Sequence, residues 1–278
     1  MFRAMFTRPP FSMLRNLFLS GLVVALLAAT TAAAESAIDL PYPSAEMFGT
    51  THASTYDLEG ERVGPARVEV TKLASGNVAV RLESGFEDGA QISLEADLAP
   101  IMVDGVQKLR ILRERSQSVD PNGTPLVILQ IDHQRGEASC TDPDSGDRNV
   151  LELPTPDRVV NVPLNLLFQP LGLGAVTRIH TDVFVCLGGA RTLSFFGALA
   201  EDQKPLDADG RMIREVRYRP DGESFLSWAA KAFAPKISFW MDTNRNGAYV
   251  AHRMPLYSQG PAVYVIANGV DPKNVITH

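Results

Sequence analysis

No acidic residue precedes Glu35, and the three charges before it are all positive: Arg3, Arg8 and Arg15. An apolar run from Leu17 to Ala29 follows, and then Thr30, Thr31, Ala32, Ala33 and Ala34. A positive start, an apolar middle and a small-x-small end at Ala32 and Ala34 predict a cleavable export signal over residues 1–34. Glu35 would become the new N-terminus, and the periplasm is the expected destination. The apolar run falls well short of the roughly 20 residues that a bilayer span needs. No cysteine follows the run and no arginine pair precedes it, which argues against lipid attachment and against the twin-arginine route. No later stretch is apolar enough to span, so residues 35–278 are expected to form a single exported domain with no membrane span.

Clustered cations are also missing. The whole chain has 26 Lys plus Arg against 32 Asp plus Glu. Removing the three signal arginines leaves 23 against 32, a net charge of −9. Arg110, Arg113 and Arg115 are interleaved with Leu109, Ile111 and Glu114 and form no basic run. Nucleic acid and anionic headgroups are therefore poor partners. Cysteine is scarce too, with only Cys140 and Cys186. In an oxidising compartment an even pair favours a disulfide, although Cys186 also sits in the apolar run Val183–Leu187 and would serve as plain core. Nothing near either residue would activate a thiolate.

What the chain does have is period-two alternation. Val68 and Val70 alternate with Arg67, Glu69 and Thr71. Val78, Val80 and Leu82 alternate with Ala79, Arg81 and Glu83, and Ile92, Leu94, Ala96 and Leu98 alternate with Ser93, Glu95 and Asp97. Each run has one apolar face, as antiparallel strands do when the other face is wet. Asn-Gly and Asp-Gly dipeptides such as Asp88-Gly89, Asn122-Gly123 and Asn246-Gly247 supply the positive φ that tight hairpins require. Ten or more strands joined by short links are expected. Helix is limited to Ser224–Phe233 and to a segment over Asn161–Leu171 interrupted by Pro163 and closed by Pro170. Residues 142–157, rich in Pro and Asp, read as a long surface loop.

Motifs for chemistry are few. Asp242-Thr243-Asn244-Arg245-Asn246-Gly247 opens like a calcium loop, but the twelfth position is Arg253, a cation where a carboxylate is needed; a decorated hairpin turn is the better reading. His133, His180 and His252 show no ligand-pair spacing. No Gly-x-Ser-x-Gly elbow is present, and Gly172-Leu173-Gly174 lacks its third glycine and its βαβ unit. No cofactor, no metal and no catalytic residue is assigned. Bulky apolar residues remain: Val162, Leu164, Leu166, Leu167, Phe168 and Leu171, with Phe225, Trp228, Phe233, Phe239 and Trp240. They either close the core or line a pocket on the concave face of a curved sheet.

From about Phe48 to Val270 the chain resembles a family of uncharacterised exported bacterial proteins. The resemblance rests on Asp157-Arg158-Val159-Val160-Asn161-Val162-Pro163-Leu164-Asn165, on Lys236-Ile237-Ser238-Phe239-Trp240 and on the string from His252 to Pro261. Such domains of unknown function look like LolA/LolB-type carriers: a strongly curved antiparallel half-barrel with helices plugging its open side. The resemblance implies that fold and, with it, an apolar ligand; it carries no established chemistry and assigns no residue a role.

The expectation is therefore a mainly β protein, a single curved antiparallel half-barrel sheet with one or two short helices. Its first-ranked function is to bind or carry an apolar ligand such as a lipid. Phe168, Trp228, Phe239 and Trp240 would line the cavity, and Arg158 or Arg253 would meet a polar head at its mouth. On this reading Phe168→Asp removes the lipid and leaves the fold intact. The second-ranked function is an assembly role, docking another envelope protein through a sheet edge or the Pro-rich loops. The third is a hydrolase of surface glycans using His180 and Asp182 or a carboxylate pair.

Overall fold

The structure, a computed structural model, describes residues 37–142, 145–186, 190–200, 206–208, 210–221, 236–255 and 262–276. The alternating runs form the strands that their pattern requires. In chain order these are β1 (Leu40–Pro41), β2 (Gly49–Tyr56), β3 (Arg62–Lys72), β4 (Val78–Gly85), β5 (Gln91–Val103), β6 (Val106–Val119), β7 (Pro125–Asp132), β8 (Glu137–Thr141) and β9 (Arg148–Glu152). Then follow β10 (Arg178–Cys186), β11 (Ala190–Leu199), β12 (Leu206–Ala208), β13 (Arg211–Pro220), β14 (Ile237–Asp242), β15 (Ala248–Pro255) and β16 (Ala262–Ala267).

All strands belong to one antiparallel sheet, in the order β10-β11-β13-β14-β15-β16-β2-β3-β4-β5-β6-β7-β8-β9, with β1 beside β6 and β12 beside β13. The sheet is not closed: β9 and β10 end it on opposite sides. It is strongly curved all the same, because the inner faces of β3, β4, β5, β6, β13 and β14 meet in one hydrophobic cluster. The mainly β, half-barrel expectation therefore holds, and the curl goes beyond a half-turn toward a barrel.

The expected loop over residues 142–157 contains a strand. β9 pairs with β8 from Glu137↔Glu152 to Thr141↔Arg148. Arg148, Asn149 and Val150 are exposed, as an outer edge strand allows, so no apolar alternation advertised it. The helix expected over Asn161–Leu171 is two short turns, α1 (Leu164–Leu167) and α2 (Gln169–Gly172). Pro163 precedes the first turn and Pro170 sits in the first turn of the second, where its missing N–H costs nothing. Leu164, Leu166, Leu167, Phe168 and Leu171 are all buried. A segment apolar on every side must be enclosed on every side, and here it is a plug inside the curled sheet.

Antiparallel neighbours in this order bring alternate connections to opposite ends. The turns β3–β4, β5–β6, β7–β8 and β14–β15, together with the plug-bearing link from β9 to β10, come to one end. The turns β2–β3, β4–β5, β6–β7 and β8–β9 come to the other.

Between the two sheet edges lies a seam. Cys140 on β8 is bonded to Cys186 at the end of β10, with Cα atoms 5.8 Å apart. The strap Pro156–Val162, which leads into the plug, docks on β10. Val159 bridges Asp182 in parallel, and the Val160 N–H donates to the Asp182 carbonyl at 2.8 Å. The Asn161 side chain completes the match, donating to the Phe184 carbonyl at 2.7 Å and accepting from the Phe184 N–H at 2.9 Å. An asparagine amide thus takes the place of a strand neighbour, satisfying backbone groups that an open edge would leave unpaired.

Candidate functional site

The side chains expected to line one cavity are distributed over two faces. Phe168, 0% exposed, is the centre of the plug. Its ring meets Tyr218 and Phe239 edge-on, both at 5.1 Å between centroids, an arrangement favoured by the ring quadrupoles. The fit is tight. A Cβ added to Gly197 on β11 would stand 2.7 Å from Phe168 Cε1, so only glycine lets the wall approach the ring. Beside the plug remains a cavity of about 10 Å³, among Val68, Val80, Leu164 and Phe239. That is room for about one water. Phe168 and Phe239 are thus packed core, and an aspartate at 168 would break the fold rather than spare it.

Trp240 follows Phe239 directly in β14, and successive strand residues point to opposite faces. It packs on the outer face with Ile213, Ala251, Tyr264 and Ile266. Arg253 is on that same face, its guanidinium 5.7 Å from the centre of the Tyr264 ring. Arg158 is on the strap, 3.5 Å from Asp182. Neither arginine is at an apolar mouth. Trp228, with the helix expected at Ser224–Phe233, lies outside the described residues.

The apolar opening is at the end away from the plug. There several inner-face positions are small: Thr55, Gly64, Ser84 and Ser118. The turns β2–β3, β4–β5 and β6–β7, with the start of β16, surround a cleft of about 530 Å³. Val63, Phe86, Ile92, Val119, Leu126 and Val263 give it its apolar surface, and Leu126 is 45% exposed. At its rim stand Asp57, Glu87, Asp88 and Asp120, with no Lys, Arg or His among the described lining residues. Three of these carboxylates also cap their own turns: Asp57 accepts from Glu59 and Glu61 N–H, Asp88 from Ala90, and Asp120 from Asn122 and Thr124. The Thr124 and Asn122 bonds hold the Asp120 carboxyl below its ordinary value.

A second polar group is buried at the seam. Glu114 faces inward from β6, and its side chain is wholly buried. It accepts from the Asn161 N–H at 2.8 Å and the Val162 N–H at 2.5 Å. His133 lies beside it, with Nε2 2.9 Å from Glu114 Oε1 and Nδ1 3.0 Å from the Pro156 carbonyl. Burial pushes the imidazole down, but the bond and charge of Glu114, the Pro156 carbonyl and the charge of Asp157 outweigh it. The net result is a His133 pKa above its ordinary value.

The other histidines have separate partners. His180 Nδ1 is 2.6 Å from Asp221, on the exposed surface. Asp182, instead of joining it, accepts from Ser194 at 2.7 Å and faces Arg158. The structure therefore does not bring His180 and Asp182 together as an acid–base pair. His252 is fully buried and stacks on Phe239 at 5.4 Å. The Tyr249 hydroxyl donates to the Val265 carbonyl at 2.9 Å, so His252 Nδ1, also at 2.9 Å, is the donor to that hydroxyl. Burial lowers the His252 pKa to about 3. The calcium-like string is a hairpin turn: Asp242 accepts from the Asn244 N–H, and Asn246 and Gly247 take positive φ. Among the described residues no group of three His, Cys, Asp or Glu side chains gathers as a metal site.

Sequence reasoning missed the cleft because its lining comes from turns and strand ends distant in the chain. It missed the Glu114–His133 pair because every residue from Arg113 to Ser118 is polar, so no alternation marks Glu114 as inward-facing.

No protein-family model matches the chain, and no curated protein matches it. Among solved structures it is similar to a β-barrel-like protein of the domain of unknown function DUF1849 from Brucella abortus, with 10% identity and a TM-score of 0.44, over 80% of this chain and 96% of that one.

Proposed function

We propose that this protein binds an apolar ligand, such as a lipid, at the open end of its barrel. The carrying observation is the apolar cleft of about 530 Å³ at the end away from the plug. Its size suits a compact apolar molecule or part of a longer chain. The ligand site is thus moved from the concave centre, where Phe168 and Phe239 are packed, to the mouth. The rim carboxylates favour a ligand whose polar part is neutral or cationic over one with an anionic head. Export to the periplasm, with cleavage after Ala34, is part of the same reading. The Cys140–Cys186 bond supports it, since such bonds persist in oxidising compartments. The LolA/LolB-like carrier idea enters here as an architectural likeness between curved, plugged sheets.

An environment-sensitive apolar dye tests the reading. Dye fluorescence should rise on binding and fall back in Phe86→Asn and Leu126→Asn variants that melt like the parent. A dye that binds those variants as well as the parent would place the ligand elsewhere.

A further inference from the structure

We propose that the strap Pro156–Val162 is a proton-operated latch on the barrel seam: it holds while His133 carries protons on both ring nitrogens, and it releases when one is lost. This inference is independent of the ligand reading.

The geometry requires the doubly protonated ring. Both partners of His133, the Glu114 carboxylate and the Pro156 carbonyl, can only accept. A neutral imidazole donates once, so its second nitrogen would turn a lone pair toward an oxygen lone pair at about hydrogen-bond distance. Water cannot intervene, because the side chains of His133 and Glu114 are 3% and 0% exposed. Losing the proton would also leave Glu114 as a buried, uncompensated negative charge, which is strongly unfavourable.

The surroundings agree in sign. From β6 the ring faces Glu114, and from the strap it feels Asp157. Arg158, the strap cation, is turned to Asp182 on β10. Asp132, the preceding residue, lies 3.6 Å from Arg113 on the outer face. The two charges acting on the ring are therefore negative, and both favour the imidazolium.

The strap is the element that this proton commands. Glu114 holds the Asn161 and Val162 amides and His133 holds the Pro156 carbonyl, so one buried pair grips the strap at both ends. The plug begins two residues later, at Leu164. The disulfide ties β8 to β10 directly and does not involve the strap. The seam thus has two fastenings of different chemistry: a covalent one for the wall and a protonic one for the entry to the plug. Because the folded pKa is raised, the latch is fully closed below the ordinary histidine value and loosens as pH rises through the folded one.

The test is hydrogen exchange of the oxidised full chain from about pH 6 to about pH 10, corrected for intrinsic rates, alongside NMR titration of His133. Between about 6.5 and the measured His133 pKa, strap protection should fall by up to about tenfold per pH unit. Strap amides should exchange faster than those of β16 throughout, through an opening smaller than global unfolding. Strap protection that is flat over this range, or that equals β16 protection, would overturn the latch. Glu114→Gln sharpens the result. Its carbonyl keeps the Asn161 and Val162 amides while its NH2 donates to a neutral His133, so the pH step should vanish with the strap still protected. A step that survives in Glu114→Gln also overturns the proposal; should that variant not fold, the parent titration decides alone.

Discussion

The two ends of the barrel solve the same problem in opposite ways. At one end large side chains from the wall and the plug interlock around Phe168, and the cavity beside Leu164 and Phe239 is about 10 Å³. At the other, several inner positions are small, no plug is present among the described residues, and a cleft of about 530 Å³ lies among apolar side chains. Interiors are ordinarily packed to crystal-like density. A sheet that meets that standard at one end and departs from it at the other has its stability and its binding capacity in different places.

The contrast can be broken by substitution. Phe168→Asp should have the largest effect, loss of the folded state, because it places a carboxylate in a closed apolar site with no partner. Circular dichroism and gel filtration would show it; a folded Phe168→Asp would mean that the plugged end is loose. Replacing Cys140 and Cys186 with serine should cost about 4 kcal/mol in the chain-entropy model for a loop of 46 residues, read by denaturant unfolding. Gly197→Ala should cost about 1–3 kcal/mol, since the new methyl meets the Phe168 ring. In a Phe168→Ala background that cost should largely disappear, and an undiminished cost would detach Gly197 from the plug. At the open end Leu126→Asn should change stability by less than about 0.5 kcal/mol, because Leu126 is already half in water.

Acid sensitivity adds a further test. His252 has its folded pKa depressed to about 3 by burial. The unfolded chain therefore binds the extra proton first, and stability falls as pH drops from about 6.5 toward 3. In His252→Phe the Tyr249 hydroxyl still reaches the Val265 carbonyl, and the acid limb of the stability curve should flatten. An unaltered acid limb would show that other groups set it.

Much of the fold was legible in the sequence. The alternations around Val68–Val70, Val78–Leu82 and Ile92–Leu98 gave β3, β4 and β5, and Asn246-Gly247 gave the β14–β15 turn. The Cys140–Cys186 bond was favoured, over two core thiols, by the even cysteine number and the expected oxidising compartment. β9 was not, because an edge strand with both faces wet lacks a periodic signal. The candidate site was less legible. Adjacency alone separates Phe239 from Trp240, so the pair could not have lined one cavity once β14 was recognised as a strand. The density of apolar residues at 162–171 was visible, but a plug and a pocket lining have the same composition. Only the close approach at Gly197 distinguishes them. The open cleft depends on which turns share an end, and that follows from strand order, which local pattern does not encode.

The most direct test of the open-end claim is native mass spectrometry of the protein purified gently from its own host, followed by organic extraction, for the parent and for Leu126→Asn. An extractable apolar mass at near-unit stoichiometry is expected on the parent, lost from the variant at unchanged melting temperature. A bare parent chain, or a ligand retained equally by the variant, would contradict that claim.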